Sequence, residues 1–155
     1  MKTLRIGAGA GYSGDRIEPA VELAEKGELD YLVFECLAER TIALAQQARL
    51  SDPEAGFDPL LSERMRRVLP FVGQARGTGQ RRLRLISNMG AANPLAAARE
   101  VRRIAVELGV QGLKVAAVTG DDVLAVLNAN PELRLDNGET VGSLGDRLIS
   151  ANAYL

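Results

Sequence analysis

A glycine-rich segment near the N-terminus has the spacing of a dinucleotide-binding loop. Gly9, Gly11 and Gly14 follow a predicted strand as G-x-G-x-x-G, and Glu35 comes roughly 20 residues after the segment. In that arrangement, backbone N–H groups approach a pyrophosphate. The match is incomplete, because the helix is expected to begin several residues late and Asp15 would bring negative charge toward the phosphates. An NAD(P)-dependent oxidoreductase is therefore one alternative, and a glycine-rich turn without a phosphate is another.

Short polar residues also collect where the other predicted strands end. Ligands in a parallel α/β sheet bind beyond the carboxyl ends of the strands. The candidate ligand-binding residues of the four loops are Gly9, Gly11, Ser13, Gly14, Asp15 and Arg16; Glu35 and Glu39; Asn88 and Asn93; and Thr119, Gly120, Asp121 and Asp122. We expect Asp15, Glu35, Asn88 and Asp121 to meet at a common rim and to bind a small molecule there.

Some of these residues have structural roles that compete with ligand binding. Asp121 and Asp122 precede a predicted helix, where they could cap its N-terminus or present one carboxylate as a base or Mg²⁺ ligand. Glu39 is expected to form an ion pair with Arg16 or Arg40 rather than to act in catalysis. The sequence identifies no catalytic residue, and it indicates no particular cofactor.

The composition narrows the chemistry that this chain can perform. It has no His and a single cysteine, Cys36. A Ser-His-Asp or Cys-His hydrolase built from this chain is therefore excluded, and we predict no metal site. Cys36 follows an apolar run, which favours a small buried hydrophobic side chain over a nucleophile. Its uniqueness also rules out an intrachain disulfide and agrees with a reducing, cytoplasmic location.

The charge balance gives no reason to expect nucleic acid or a membrane as a partner. The formal net charge is −1, and no apolar run is long enough to cross a bilayer or to form a signal peptide. An arginine-rich stretch between residues 64 and 84 has few aromatic neighbours, so we interpret it as a solvated helix face and turn. The expected partner is a small molecule, an acyl-CoA being one candidate, and the oligomeric state is left open between a monomer and a homo-oligomer.

The order of predicted elements indicates an α/β fold. The strands are expected at residues 4–8, 29–34, 83–87 and 113–118, and the helices at 18–26, 38–49, 60–75, 94–108 and 122–128, with a turn at 77–80. Pro70 is expected to interrupt the helix over 60–75. This alternation is typical of βαβ units and a parallel sheet, and we favour an open doubly wound sheet over a partial barrel. The apolar run 29–34 suggests a strand covered on both faces. Asn93 is the expected N-cap of the fourth helix.

Five segments, in order, resemble blocks of the acyclic terpene utilisation AtuA-like family. They are residues 5–16, 29–41, 87–94, 118–122 and 150–155. The resemblance implies a bacterial cytoplasmic protein of citronellol, geraniol or branched acyl-CoA catabolism, and it adds Asn152 to the candidate ligand-binding residues. The family domain is longer, so we expect these 155 residues to be a single α/β domain that forms the N-terminal part of a larger one.

Three functions stay open on the sequence alone. The first is an enzyme, or an enzyme component, that acts on a branched-chain acid or its CoA thioester. The second is a binding or assembly module without chemistry, which the lack of His favours. The third is the NAD(P)-dependent oxidoreductase that the glycine spacing suggests.

Overall fold

The computed structural model describes residues 3–73, 75–76 and 81–153. The strands are β1 (Ile6–Ala10), β2 (Tyr31–Phe34), β3 (Ala75–Arg76), β4 (Arg81–Arg82) and β5 (Arg84–Ser87). The helices are α1 (Glu18–Lys26), α2 (Glu39–Ser51), α3 (Leu61–Val68), α4 (Pro94–Glu107), α5 (Leu124–Asn128) and α6 (Val141–Leu144), with 3₁₀ turns at Leu69–Phe71 and Gly145–Arg147. The predicted turn at 77–80 lies outside the described residues.

The centre of the fold is an open three-stranded parallel sheet. Its strand order is β1-β2-β5, and Gly7, Leu32 and Leu85 are aligned across it. The connection from β1 to β2 and the connection from β2 to β5 cross the sheet in the same direction. Because such connections are right-handed, their helices lie on the same face of the sheet. The α/β class with a parallel sheet is therefore confirmed. A separate antiparallel pair joins β3 and β4.

Local sequence signals explain where the helices begin and end. Pro19 lies in the first turn of α1, where a missing N–H costs nothing, and Gly27 follows its last residue. Asn93 caps α4, because its side chain accepts a hydrogen bond from the backbone N–H of Ala96. Pro70 lies in the 3₁₀ turn after α3, so the helix predicted over 60–75 is interrupted at Pro70 as expected.

The main hydrophobic core lies between one face of the sheet and the helices α1, α3 and α4. Leu32 and Phe34 of β2 point into it and pack in the same cluster as Ala20, Met65 and Ile104. Each fully buried side chain of the Leu or Phe class contributes about 1.5–3 kcal/mol of stabilisation. This core fixes the strand ends, and hence the loops that follow them.

Two expectations about the sheet were wrong. Leu113–Val118 does not form a strand, and Val118 is 89% exposed, because no described strand pairs with this run. The run 29–34 is not covered on both faces, since Tyr31 and Val33 are only half-buried while Leu32 and Phe34 are buried. Within the described ranges, no helix has both the length and the apolar character needed to cross a bilayer.

Candidate functional site

The carboxyl ends of β2 and β5 are joined by side-chain hydrogen bonds. Asn88 accepts a bond from the backbone N–H of Cys36 at 2.7 Å and donates one to Glu35 Oε1 at 2.8 Å. Glu35 also accepts a bond from the backbone N–H of Leu37. The parallel sheet therefore brings Glu35 and Asn88 together as expected, with the carboxylate already engaged by the amide.

A fully buried arginine lies beneath this edge of the sheet. Arg64 of α3 is 0% exposed. Its Nη2 donates to the backbone carbonyls of Ser13 and Asp15, both at 2.9 Å, and its Nη1 donates to Cys36 Sγ at 3.2 Å. Nη1 also lies 3.8 Å from Asp58 Oδ1, which forms a buried ion pair. One guanidinium thus holds the loops that follow β1 and β2 in a fixed position.

The interpretation of the arginine-rich stretch as a solvated surface was wrong for Arg64. The reason is its place on α3, whose buried residues also include Leu61, Met65 and Val68. That helical spacing was visible in the sequence and could have identified the position as inward-facing. Arg66, by contrast, is partly exposed and pairs with Glu107 at the surface.

The first loop is closed by its own aspartate. Asp15 accepts hydrogen bonds from the backbone N–H groups of Gly11, at 3.0 Å, and Arg16, at 2.9 Å. The bond from Gly11 is the main reason why the pKa of Asp15 lies below its ordinary value. The carboxylate therefore takes the backbone donors that a pyrophosphate would need, which disfavours the dinucleotide interpretation.

Packing, rather than phosphate binding, explains Gly9. A Cβ atom at that position would lie 2.7 Å from the ring atom Cε1 of Phe34 on the neighbouring strand. A separation that short is incompatible with normal van der Waals contact, so β1 and β2 require glycine here. Gly14 instead lies against the ring of Tyr12 in the loop.

Cys36 has the environment of a structural thiol. It is 4% exposed, and burial raises its pKa to about 11, although Arg64 acts in the opposite direction. The thiol therefore stays protonated at neutral pH, whereas a cysteine nucleophile needs the thiolate. This agrees with the expectation that Cys36 is a buried apolar residue.

A pocket of about 310 Å³, which we call the apolar pocket, opens beside the β2 and β5 strand ends. Its walls include apolar side chains from α2 and from the loops before and after it, namely Leu37, Leu44, Ala45, Ala48, Phe57 and Met89. Its polar lining includes Ser13, Asp58 and Asn88. The arrangement has apolar walls and a few polar groups at one end, which is common in small-molecule sites.

The remaining candidate residues surround a second pocket, which we call the polar pocket. It has a volume of about 150 Å³, and the candidates that line it are Asn93, Thr119, Gly120, Asp121, Asp122 and Asn152. Asp121 Oδ2 accepts a hydrogen bond from Asn152 Nδ2 at 2.9 Å. The two pockets lie along α2 and share Ala91. Asp121 therefore lies in a neighbouring pocket, while Asp15, Glu35 and Asn88 follow the strand ends.

Several candidates have local structural partners. Asn93 is buried and donates to the backbone carbonyls of Pro53 and Ala55, in addition to capping α4. Asp122 accepts a hydrogen bond from the backbone N–H of Leu124, the first residue of α5, but the N-cap position of that helix is Val123, so Asp122 does not have the expected capping role. The hydrogen bonds of Asn93 and Asp122 therefore stabilise loops, whether or not these residues also bind a ligand.

The ion pair expected for Glu39 is absent. Glu39 is the exposed first residue of α2, and it pairs with neither Arg16 nor Arg40. Adjacent helix residues do not face one another, so Arg40 is poorly placed to reach it. The helix N-terminus itself favours the negative charge of Glu39.

The described part of the chain contains no cluster of three or more Cys, Asp or Glu side chains that could hold a metal ion. Asp121 and Asp122 both have protein partners, Asn152 for the first and Arg49 for the second. Protein groups therefore already engage both carboxylates.

A comparison with models of protein families gives a match over almost the whole chain. The family model described as acyclic terpene utilisation family protein AtuA matches residues 4–155. No curated protein and no solved structure matches the chain. The family match spans essentially the whole sequence, including the glycine-rich loop, the Asn88 loop and the Asp121 segment. The resemblance of the five sequence blocks is thereby confirmed, and the chain belongs to the acyclic terpene utilisation AtuA family.

Proposed function

We propose that this protein binds a branched apolar intermediate of acyclic terpene breakdown in the cytoplasm, with the hydrocarbon chain in the apolar pocket. The observation that carries the proposal is the position of that pocket at the carboxyl ends of β2 and β5. Its volume of about 310 Å³ is at the small end of the range of roughly 300–1,000 Å³ that is usual for ligand sites. Citronellyl and geranyl derivatives are the compounds that the family name favours.

The polar end of the pocket favours an uncharged ligand head group. Asn88 uses one of its two amide N–H donors on Glu35, which leaves the second for a carbonyl oxygen. Asp58 lies at the same end and is buried. The charge of Asp58 is balanced by Arg64, so the repulsion that a free carboxylate would meet comes from Glu35, which is hydrogen-bonded to Asn88. A thioester carbonyl carries no charge and would not be repelled. The pocket therefore favours an acyl thioester, such as a branched acyl-CoA, over the free acid.

The proposal is for binding, and it assigns no catalytic residue. The buried protonated thiol of Cys36 is unsuited to covalent catalysis. An enzyme that uses a partner chain and a non-catalytic binding module both fit the same pocket. Turnover of the bound thioester would distinguish them, and binding itself would not.

A thermal-shift experiment with four compounds tests the proposal. We expect citronellyl-CoA to raise the melting temperature in proportion to the logarithm of its concentration, and citronellate to do so less. CoA alone and NADPH are expected to have little effect. Stabilisation by NADPH alone would instead support the oxidoreductase. An equal response to CoA and citronellyl-CoA would contradict the binding of the hydrocarbon chain in the apolar pocket.

A pair of variants on α2 locates the site. Ala45→Leu adds apolar volume inside the apolar pocket, so we expect it to weaken citronellyl-CoA binding at least about tenfold, which corresponds to about 1.4 kcal/mol. Gln47→Leu is the matched control, because Gln47 is exposed on the same helix and lines neither pocket. Equal affinity in both variants, measured by isothermal titration calorimetry, would contradict the placement of the ligand.

A further inference from the structure

One face of the three-stranded parallel sheet is left uncovered by the described residues. Residues aligned across parallel strands point to the same face, and Leu32 and Phe34 of β2 point into the core. The opposite face, which we call the open face, carries Ile6, Ala8, Tyr31, Val33, Arg84 and Ile86. Parallel sheets in proteins are almost always covered on both faces, so this sheet lacks one covering layer.

Apolar side chains occupy the middle of the open face. Ala8, Val33 and Ile86 are aligned with one another across the three strands. Ile6 of β1 is 64% exposed and Ile86 of β5 is 53% exposed, although both belong to strands of the central sheet. A contiguous apolar patch that is rimmed by charged side chains is typical of a protein–protein contact.

The two ends of the open face have opposite charges. At the amino end, the exposed Arg84 lies 5.5 Å from the ring centroid of Tyr31 and donates to its hydroxyl at 3.3 Å. At the carboxyl end, the exposed Glu35 continues the ladder by donating its N–H to the Ala10 carbonyl. Strand alternation therefore directs the Glu35 side chain to the same face as Val33. Among the described residues, neither Arg84 nor Glu35 has an ion-pair partner, and Glu35 Oε2 accepts no hydrogen bond.

This arrangement is complementary to a second copy of itself turned end to end. A two-fold axis between two such faces, perpendicular to the strands, reverses the strand direction in the second copy. Glu35 of one copy then lies opposite Tyr31 of the other, where Arg84 reaches across from β5. The symmetry makes this contact twice, and it stacks the two apolar middles on each other.

We propose that the open face is the interface of a homodimer with this two-fold axis. The row of Ala8, Val33 and Ile86 lies midway between the charged ends, so each of these residues meets its own copy at the axis. Three strands about 4.8 Å apart and five residues at about 3.3 Å each give a face of roughly 14 by 17 Å. Stable complexes bury about 800 Å² per partner, so this dimer is weak and reversible. Dimer formation does not depend on ligand binding, because the open face lines neither pocket.

Sedimentation velocity at rising protein concentration tests the proposal. We expect the average mass to rise from monomer toward dimer between about 10 and 500 μM, because an interface of this size belongs to a weak complex. Ile86→Lys places a charge at the axis and should weaken association at least about tenfold. Leu50→Lys is the matched control, since Leu50 is 68% exposed on α2 and lies outside the open face. A monomer at every concentration, or a dimer that Ile86→Lys leaves intact, would overturn the proposal.

A charge exchange between two variants tests the orientation of the copies. Arg84→Glu and Glu35→Arg each place like charges opposite one another in a homodimer, so each variant alone should remain monomeric. An equimolar mixture of the two should form a heterodimer, because both contacts again join opposite charges. A mixture that fails to associate, or a single variant that dimerises as well as the unmodified protein, would contradict the proposed axis. Circular dichroism checks that each variant folds, and where one does not, Ile86→Lys and Leu50→Lys decide the question.

Discussion

Two regions of the described chain are stabilised by different interactions. In the first region, residues 6–107, the helices and the sheet bury an apolar core that includes Leu32, Phe34 and Ile104. In the second region, residues 110–153, Val141 is the only described apolar side chain that is buried. Backbone hydrogen bonds connect its segments, such as the bond from Val123 N–H to the Ala151 carbonyl at 2.9 Å. Stability should therefore reside mainly in the first region.

The polar pocket is the place where the two regions meet. The first region contributes α2 and the loop that leads into α4, and the second contributes residues 119–122 and 150–152. Arg49 and Asp122 form an ion pair across this boundary. The apolar pocket, in contrast, is built entirely from the first region. Changes in the second region should therefore alter the polar pocket without unfolding the protein or closing the apolar pocket.

The largest effect is expected from Arg64→Ala in the first region. The change leaves Asp58 buried without its cation and removes the donor to the carbonyls of Ser13 and Asp15. Breaking one side of a buried ion pair costs about 3–5 kcal/mol. Urea unfolding should therefore show a loss of this size.

Arg66→Ala is the matched control for that measurement. Arg66 lies on the same helix and pairs with Glu107 at the surface, where an ion pair contributes about 1 kcal/mol or less. A similar loss for Arg64→Ala and Arg66→Ala would show that the buried guanidinium does not organise the loops.

The next largest effect is the difference in stability loss between two apolar truncations, one in each region. Ile104→Ala empties a fully buried position in the core, so we expect a loss of about 2–5 kcal/mol. Val126→Ala, at a side chain that is 58% exposed on α5, should change stability by about 0.5 kcal/mol or less. Differential scanning calorimetry of the two variants measures this contrast. A large loss for Val126→Ala would mean that the second region belongs to the cooperative core.

The sequence was sufficient to predict structural features that depend on residues close together in the chain. Glu18–Lys26 has the predicted bounds because Pro19 and Gly27 mark its two ends. Asn93 has the predicted capping role, since a cap depends on residues three positions apart. The proximity of Glu35 to Asn88 followed from the general property that parallel strands end at the same edge of a sheet, while the hydrogen bond between them was not predicted.

The sequence was insufficient to predict structural features that depend on residues far apart in the chain. Leu113–Val118 has strand-like composition, but a strand also needs a neighbour to pair with. The helical spacing of α3 marks Arg64 as inward-facing, but its partners, Asp58 and two loop carbonyls, approach it only in the folded chain. The split of the candidate residues between two pockets likewise depends on the position of α2, which no local pattern specifies.

The smallest expected effect is the pH-dependent contribution of Glu100, in the first region, to the free energy of unfolding. Glu100 of α4 accepts hydrogen bonds from Arg103 and Ser62, and the bonds from Arg103 are the main reason why its pKa falls from 4.5 to about 2. A carboxyl whose pKa is lowered by folding stabilises the protein fully above its unfolded pKa of 4.5. That contribution disappears as the pH falls toward about 2.

Glu100→Gln removes this contribution. At neutral pH the variant should be less stable than the unmodified protein by about 1 kcal/mol or less, because the pair is partly open to solvent. The difference should shrink as the pH is lowered from 4.5 toward about 2, where the unmodified protein also loses the charge. Urea unfolding across that range measures the difference, and Ser62→Ala, which removes one weaker partner, should show a smaller loss with the same direction. A difference that grows on acidification would mean that the carboxylate of Glu100 opposes folding.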